Sequence, residues 1–270
     1  MSESTGGRGA TYLDRILVAH RAAAAADVRS LDALIAEARS RPPARRFADA
    51  LRLRAATELA VIAEVKRRSP SRGALAEALD PATVAGEYAA GGATCLSVLT
   101  DAEWFGGSGA DLQAARAAVE LPVLRKDFTV DLRDVCDARL MGGDAVLLIV
   151  AALSDGELAE MHGLARDIGL DVLVEVHDEA ELGRALAVGA TLVGVNQRDL
   201  VTFEVDAERA VRVSAAMPPE IVRVAESGVR GPDDAARLVA AGFHAVLVGE
   251  SVVTAADRVA SVTALRAARR

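Results

Sequence analysis

Only two cysteines occur in this chain of 270 residues, Cys95 inside an apolar run and Cys136 within a helical pattern. Neither lies in a metal-ligand spacing, so both read as buried free thiols. The four histidines, His20, His162, His177 and His244, stand far apart and form no zinc signature. Apolar runs of about 18 residues or more are missing, as is a signal-peptide pattern, so no membrane span is expected and the cytoplasm is the expected compartment. Positive charge is also short. A net charge of −8 argues against a general affinity for nucleic acid or anionic membrane, and an anionic ligand would need a local basic pocket. Apolar side chains, by contrast, are plentiful. At 51% hydrophobic and 26% charged, the chain can bury a full core, and its length fits one large α/β barrel or two small domains.

The N-terminal sixty residues differ from the rest. Met1 to Ala10 read as a flexible lead-in. Helical spacing then covers Thr11–Ala26, Leu31–Arg39 and Arg45–Thr57, broken at Pro42-Pro43. From Val61 the pattern becomes short apolar strands alternating with amphipathic helices. The strands fall at Val61–Val65, Thr94–Leu99, Pro122–Lys126, Asp144–Val150, Asp171–Val176, Thr191–Val195, Ile221–Ala225 and His244–Val248. Helical stretches between them end in glycine before the next strand, as at Gly91-Gly92, Gly142-Gly143, Gly189 and Gly242. Near-continuous apolar strands with intervening helices indicate a parallel sheet covered on its outer face. Eight such units predict an α/β fold, a single (β/α)8 TIM barrel over 61–270, with 1–60 a helical extension packed on it as part of one structural domain. No G-x-G-x-x-G follows the first strand, which weakens a dinucleotide-binding alternative.

In such a barrel the active site forms at the C-terminal strand ends. Those ends carry Glu64 and Lys66, then Ser97 to Asp101, then Lys126-Asp127-Phe128. Further round stand Leu147-Leu148-Ile149, Glu175-Val176-His177, Asn196-Gln197-Arg198-Asp199, Glu226-Ser227-Gly228 and Gly249-Glu250-Ser251. Ionisable groups collect at one end of otherwise apolar strands, which a bland scaffold would not need. Glu64 and Lys66 share one face of their strand. The loop after them, Arg67 to Gly73, joins hydroxyls, backbone amides and arginines to a lysine, a set suited to an anion, and reads as a lid. Glycines after the last two strands let backbone amides approach a phosphate closely.

These residues carry a family resemblance. The chain resembles indole-3-glycerol phosphate synthases in Glu64-Val65-Lys66-Arg67-Arg68-Ser69-Pro70-Ser71, in Leu96 to Asp101 with Phe105-Gly106-Gly107-Ser108, and in Leu124-Arg125-Lys126-Asp127-Phe128. It continues through Leu173-Val174-Glu175-Val176-His177, Val195-Asn196-Gln197-Arg198-Asp199-Leu200 and Val224-Ala225-Glu226-Ser227-Gly228, and spans Leu13 to the end. The resemblance implies one phosphorylated substrate, 1-(2-carboxyphenylamino)-1-deoxyribulose 5-phosphate, closed to indole-3-glycerol phosphate with loss of carbon dioxide and water by general acid–base catalysis. It implies no cofactor and no metal. Lys126 matches the family's general acid, and desolvation beside Phe128 is expected to lower its pKa. Glu175 matches the base and Lys66 a partner acid; Glu64, Asn196 and Ser227 complete the catalytic set. How Lys66, Glu64 and Glu175 divide the second acid–base step stays open.

The phosphate falls to Ser69 and the backbone around Ser227-Gly228 and Gly249-Glu250, with Glu250 expected to turn its side chain away. Arg198 either binds the substrate carboxylate or braces Glu226. Phe105, Phe128 and Leu147 are candidate walls for the aromatic ring, Trp104 a candidate cover for the mouth, and His177 a rim residue. The expected partner is this small molecule, neither nucleic acid nor membrane, for a chain acting as a monomer with association with other pathway enzymes left open. Two rival readings remain: a Schiff-base lyase using Lys66 or Lys126 as nucleophile, and a non-catalytic phosphate-binding barrel within a larger complex.

Overall fold

The structure, a computed structural model, describes residues 11–70, 72–199 and 204–268. The lead-in Met1–Ala10 and the motif residues Ser71 and Leu200 lie outside the described residues. Eight parallel strands close into a barrel: β1 (Ala60–Val65), β2 (Cys95–Leu99), β3 (Val123–Lys126), β4 (Ala145–Ile149), β5 (Asp171–Val176), β6 (Leu192–Asn196), β7 (Val222–Glu226) and β8 (Ala245–Val248). Each pairs with its neighbour in sequence, and β1 closes the ring by pairing with both β2 (Ile62 opposite Cys95) and β8 (Ala60 opposite Ala245). Every residue of β1, β2, β4, β6 and β8 is buried, because barrel side chains pack inward and the helices cover the outside. That two-sided burial is why the strands read as apolar runs rather than as alternating patterns.

The outer helices are α4 (Pro81–Ala90), α6 (Gly109–Ala118), α7 (Leu132–Leu140), α8 (Asp155–Asp167), α9 (Glu179–Ala187), α10 (Ala207–Ala215), α11 (Pro232–Ala240) and α13 (Arg258–Arg266). Most start on an oxygen-bearing cap that satisfies the free amides of the first turn: Asp80, Ser108, Asp131, Ser154, Asp178, Asp206 and Asp257. Ser154 with Glu157 forms a full capping box. Two single-turn helices, α5 (Ala102–Phe105) and α12 (Glu250–Val253), and a two-residue ribbon pairing Arg68–Ser69 with Gly73–Ala74 add to the predicted elements. They lie just after strand ends and are too short to show a period.

The extension wraps the barrel from one mouth to the other. Helix α1 (Tyr12–Ala26) lies by the C-terminal strand ends, where Arg21 pairs with Glu157 at 2.7 Å. Helix α2 (Leu31–Ser40) runs along α7 and is tied there by Arg29 to Asp137. Helix α3 (Phe47–Ala55) closes the opposite end with Phe47 and Leu51 fully buried. Its start is fixed by two carboxylates at strand beginnings: Asp144 accepts from the Arg45 amide at 2.7 Å and Asp171 from the Ala48 amide at 2.9 Å. Both cysteines are buried free thiols, as expected.

Candidate active site

A cavity of about 530 Å³ opens at the C-terminal strand ends, and the fifteen residues given catalytic or binding roles from sequence line it. Its floor is a ring of charge. From β1, Glu64 Oε1 meets Lys66 Nζ at 2.6 Å, and Glu64 Oε2 accepts from the Ser97 hydroxyl of β2 at 3.2 Å. Opposite them, Lys126 at the end of β3 donates to Glu175 Oε2 of β5 at 3.2 Å and lies 3.6 Å from Glu226 Oε2 of β7. Asn196 of β6 donates from Nδ2 to the other Glu175 oxygen at 3.1 Å, and its own Oδ1 accepts from the Arg198 amide. Positions on six strands thus build one cluster, as the geometry of the barrel top allows.

Two glycines make room for it. A Cβ on Gly194 would come within 2.0 Å of Glu226 Oε1, and one on Gly249 within 2.5 Å of Glu64 Oε1. Larger residues there would displace the carboxylates.

The electrostatics correct one expectation. Desolvation does press the Lys126 pKa down, as its apolar neighbour suggested, but Glu175, Glu226 and Glu64 together outweigh it and hold the pKa above the ordinary lysine value. Lys126 is therefore an ammonium at neutral pH. Burial pushes Glu175 up, yet Lys126, His177 and the Asn196 hydrogen bond bring it below the usual carboxylate range. Glu226 goes the other way: burial first, then the Glu175 charge beside it, raise it to about 8. So the pair separates into one ionised carboxylate and one carboxyl that keeps its proton, the division expected when two carboxyls share a buried site.

The far wall is suited to an anion. Ser69 Oγ is buried without a hydrogen-bond partner. Ser227 holds a left-handed backbone (φ 63°), unusual for a residue with a Cβ, followed by Gly228 at φ 72°. Its carbonyl accepts from Gln197 Nε2 at 2.8 Å, which fixes the turn. Glu250 lines the cavity but turns to Arg72, whose Nε lies 3.2 Å away. Arg198 lines the cavity too, and Glu226 is engaged by Lys126. Arg67, expected in a lid, is anchored to the body through Asp111 and the Leu79 carbonyl.

Phe105 and Phe128 face each other with ring centroids 6.3 Å apart and, with Leu147, form the apolar wall. Trp104 does not line the cavity; it packs edge-on against Tyr12 of α1. Sequence reasoning missed His20 on α1, whose ring lies 5.5 Å from that of Phe128 and whose Nε2 is 2.8 Å from Asp101. Asp101 caps α5 and so holds Phe105. Together with Asp127 these groups bring possible metal ligands near one another, yet Asp127 is already held by Arg125 and Thr100. They form a latch between α1 and the aromatic wall. No local sequence signal marks it, since His20 and Asp101 are brought together only by the fold. Arg72 and Asp101 are further lining residues whose partners were invisible in sequence.

The family model described as indole-3-glycerol phosphate synthase matches residues 13–265. A protein of that name from Nocardioides sp. is 57% identical over 197 residues, 73% of this chain and 76% of its own length. One from Leifsonia xyli subsp. xyli is 51% identical over 238 residues, 88% of this chain and 90% of its own. Among solved structures, a thiamine phosphate pyrophosphorylase from Pyrococcus furiosus aligns with a TM-score of 0.59 at 18% identity, covering 80% of this chain and 96% of its own, a likeness of fold alone.

Proposed function

This chain belongs to the indole-3-glycerol phosphate synthase family, and from that premise we propose how its buried charges perform the family's reaction. The activity is a carboxy-lyase reaction of tryptophan biosynthesis: ring closure, decarboxylation and dehydration of 1-(2-carboxyphenylamino)-1-deoxyribulose 5-phosphate. Lys126 is the acid of the first step. As the aromatic carbon attacks the ketone, negative charge gathers on the carbonyl oxygen, and an ammonium that is charged at neutral pH supplies first the field that stabilises it and then the proton. Loss of carbon dioxide follows. Glu175 then removes the proton whose departure accompanies dehydration, while Lys66, steered by Glu64, protonates the leaving hydroxyl. Asn196 holds Glu175, and Glu226, carrying its proton, donates to a substrate oxygen. Ser69 and the amides after Ser227 and Gly249 take the phosphate; Phe105, Phe128 and Leu147 hold the aromatic ring, and Arg198 its carboxylate.

The observation that carries this reading is Lys126 set between Glu175 at 3.2 Å and Glu226 at 3.6 Å, with burial and the Glu175 charge raising the pKa of Glu226. A Schiff-base role for Lys126 needs a neutral amine, which the surrounding carboxylates disfavour. Helices α1 and α3, bonded to opposite ends of the barrel, support extension and barrel as one structural domain. No helix among the described residues is long and apolar enough to cross a membrane. We infer a cytoplasmic monomer from the family's biosynthetic role.

The test is the appearance of indole absorbance and fluorescence from the substrate. Wild type is expected to form product, and Lys126→Ala and Glu175→Gln to lose it by more than about 100-fold, the size expected on removing acid–base groups. A folded wild type that forms no product would sink the proposal.

A further inference from the structure

The catalytic reading leaves one buried titratable group beside Glu175 without a task. His177 follows β5, two residues beyond Glu175, and its side chain is 13% exposed. Glu181, in the first turn of α9, accepts twice from this one residue with a single oxygen, Oε2. The His177 backbone amide donates at 2.8 Å, and Nδ1 lies at 3.0 Å. Backbone and ring are therefore pinned together. The other ring nitrogen, Nε2, has no hydrogen-bond partner, and the nearest carboxylate oxygen is Glu175 Oε1 at 3.7 Å. That is an ion-pair distance, too long for a hydrogen bond.

We propose that His177, oriented by Glu181, is a positioning residue for Glu175 that holds the base ionised and aimed at the substrate. This rests on Glu175 being the base of the family's reaction. A neutral ring with its hydrogen on Nδ1, as Glu181 demands, would turn a lone pair on Nε2 toward a carboxylate. With a carboxylate on each side, only the imidazolium presents N–H groups to both. The groups facing the ring agree. Burial opposes its charge, Glu181 and Glu175 favour it, and Arg209 from α10 opposes it; the balance raises the His177 pKa. His177 does not line the cavity, so it acts through Glu175 rather than on substrate. Its counterpart effect is that Glu175 stays ionised although Glu226 and Glu64 share the same mouth. The arrangement is a carboxylate–imidazole–carboxylate row in which Lys126 holds one oxygen of the catalytic carboxylate, Oε2, while Asn196 and His177 face the other, Oε1.

The experiment uses the full chain in three forms: wild type, His177→Gln and Glu181→Gln. The kcat and KM are measured from pH 6 to 9, and the His177 ring is titrated by proton NMR, with thermal melts as folding controls. In wild type, kcat is expected to fall on the alkaline side with a limb that coincides with the NMR titration of His177. His177→Gln should lower kcat about tenfold, leave KM within about twofold, and abolish that limb, a tenfold step being one unit on the logarithmic pKa scale. Glu181→Gln keeps the imidazole but removes its counter-charge, so both limb and titration should move to lower pH by about one unit. Two results overturn the proposal while leaving the family reading intact: pH profiles unchanged in both folded variants of an active protein, or kcat lowered with the alkaline limb still in place. Absence of product from wild type would remove the family reading, and this proposal with it.

Discussion

Glu226→Gln should make the protein more stable and, as pH rises, increasingly so. The Glu226 side chain is almost wholly buried, its Oε1 accepts from no donor and lies against Gly194, and its carboxyl titrates near 8 rather than at the ordinary 4.5. Between those two values the unfolded chain has released a proton that the folded chain keeps. Stability then falls with rising pH, since the native state binds more protons. At about 1.4 kcal/mol per unit, the penalty grows by roughly 2–3 kcal/mol between pH 5 and pH 7 and levels off above the folded pKa. Glutamine has nearly the same shape, bears no charge in either state, and can still donate to Glu175, so it escapes the penalty. The assay is guanidinium unfolding of both proteins at pH 5, 6, 7 and 8, where titrating groups remote from the mouth cancel in the difference. The expected outcome is near-equality at pH 5 and a gap in favour of the variant that widens toward pH 8. A gap that stays flat, or a variant that is the less stable at pH 8, would show that Glu226 is ionised in the folded protein and would refute the division of roles within the carboxyl pair.

Gly194→Ala should act on the same carboxyl from behind. Its methyl group would need the space of Glu226 Oε1 and would crowd Leu173 at 3.3 Å. An overpacking loss of about 1–3 kcal/mol in unfolding experiments is expected, with a kcat decrease larger than that of conservative changes elsewhere on β6; unaltered kcat would mean that Glu226 has no fixed place in the reaction. Arg72→Ala should raise KM for the phosphorylated substrate by about 2–5-fold, the scale of an exposed ion pair, because it leaves the Glu250 carboxylate unpaired at the anion-binding wall. Adding Glu250→Gln should restore KM, and steady-state kinetics of the double variant that showed no recovery would count against that account.

Much of this architecture is legible in the chain because a barrel strand is buried on both faces. Val61 to Val65, Leu96 to Leu99 and Val172 to Val176 read as apolar runs for that reason, and the charged residues that end them mark the mouth. What the sequence conceals is which charges meet. The neighbour visible from Lys126 is Phe128, two residues on, and from that local view desolvation should lower its pKa. The groups that reverse the sign come from elsewhere: Glu175 lies 49 positions away, and Glu226 and Glu64 arrive on other strands. Likewise His20 is 81 positions from Asp101, so nothing near either residue tells that α1 reaches the aromatic wall. The helices α5 and α12 are single turns, shorter than any periodic signal, and nothing near Trp104 in the chain marks its partner Tyr12 on α1.

The charge balance of the mouth connects these separate observations. Glu64, Glu175 and Glu226 face Lys66 and Lys126, so one carboxylate would stand uncompensated in a buried site if all were ionised. Burial selects the carboxyl with the fewest donors. Ser97 and Lys66 serve Glu64, while Asn196, Lys126 and His177 face Glu175; Glu226 has Lys126 alone, shared and at 3.6 Å. Its proton restores balance and leaves Lys126 with Glu175 as its nearest ionised partner. The two are coupled in the order of the reaction: once Lys126 has given its proton to the substrate oxygen, Glu175 loses a cationic partner and becomes the stronger base for the second step. A buried pair of opposite charge is by itself weak evidence for stability. Here its worth lies in that coupling, since releasing a proton from one member makes its uptake by the other easier.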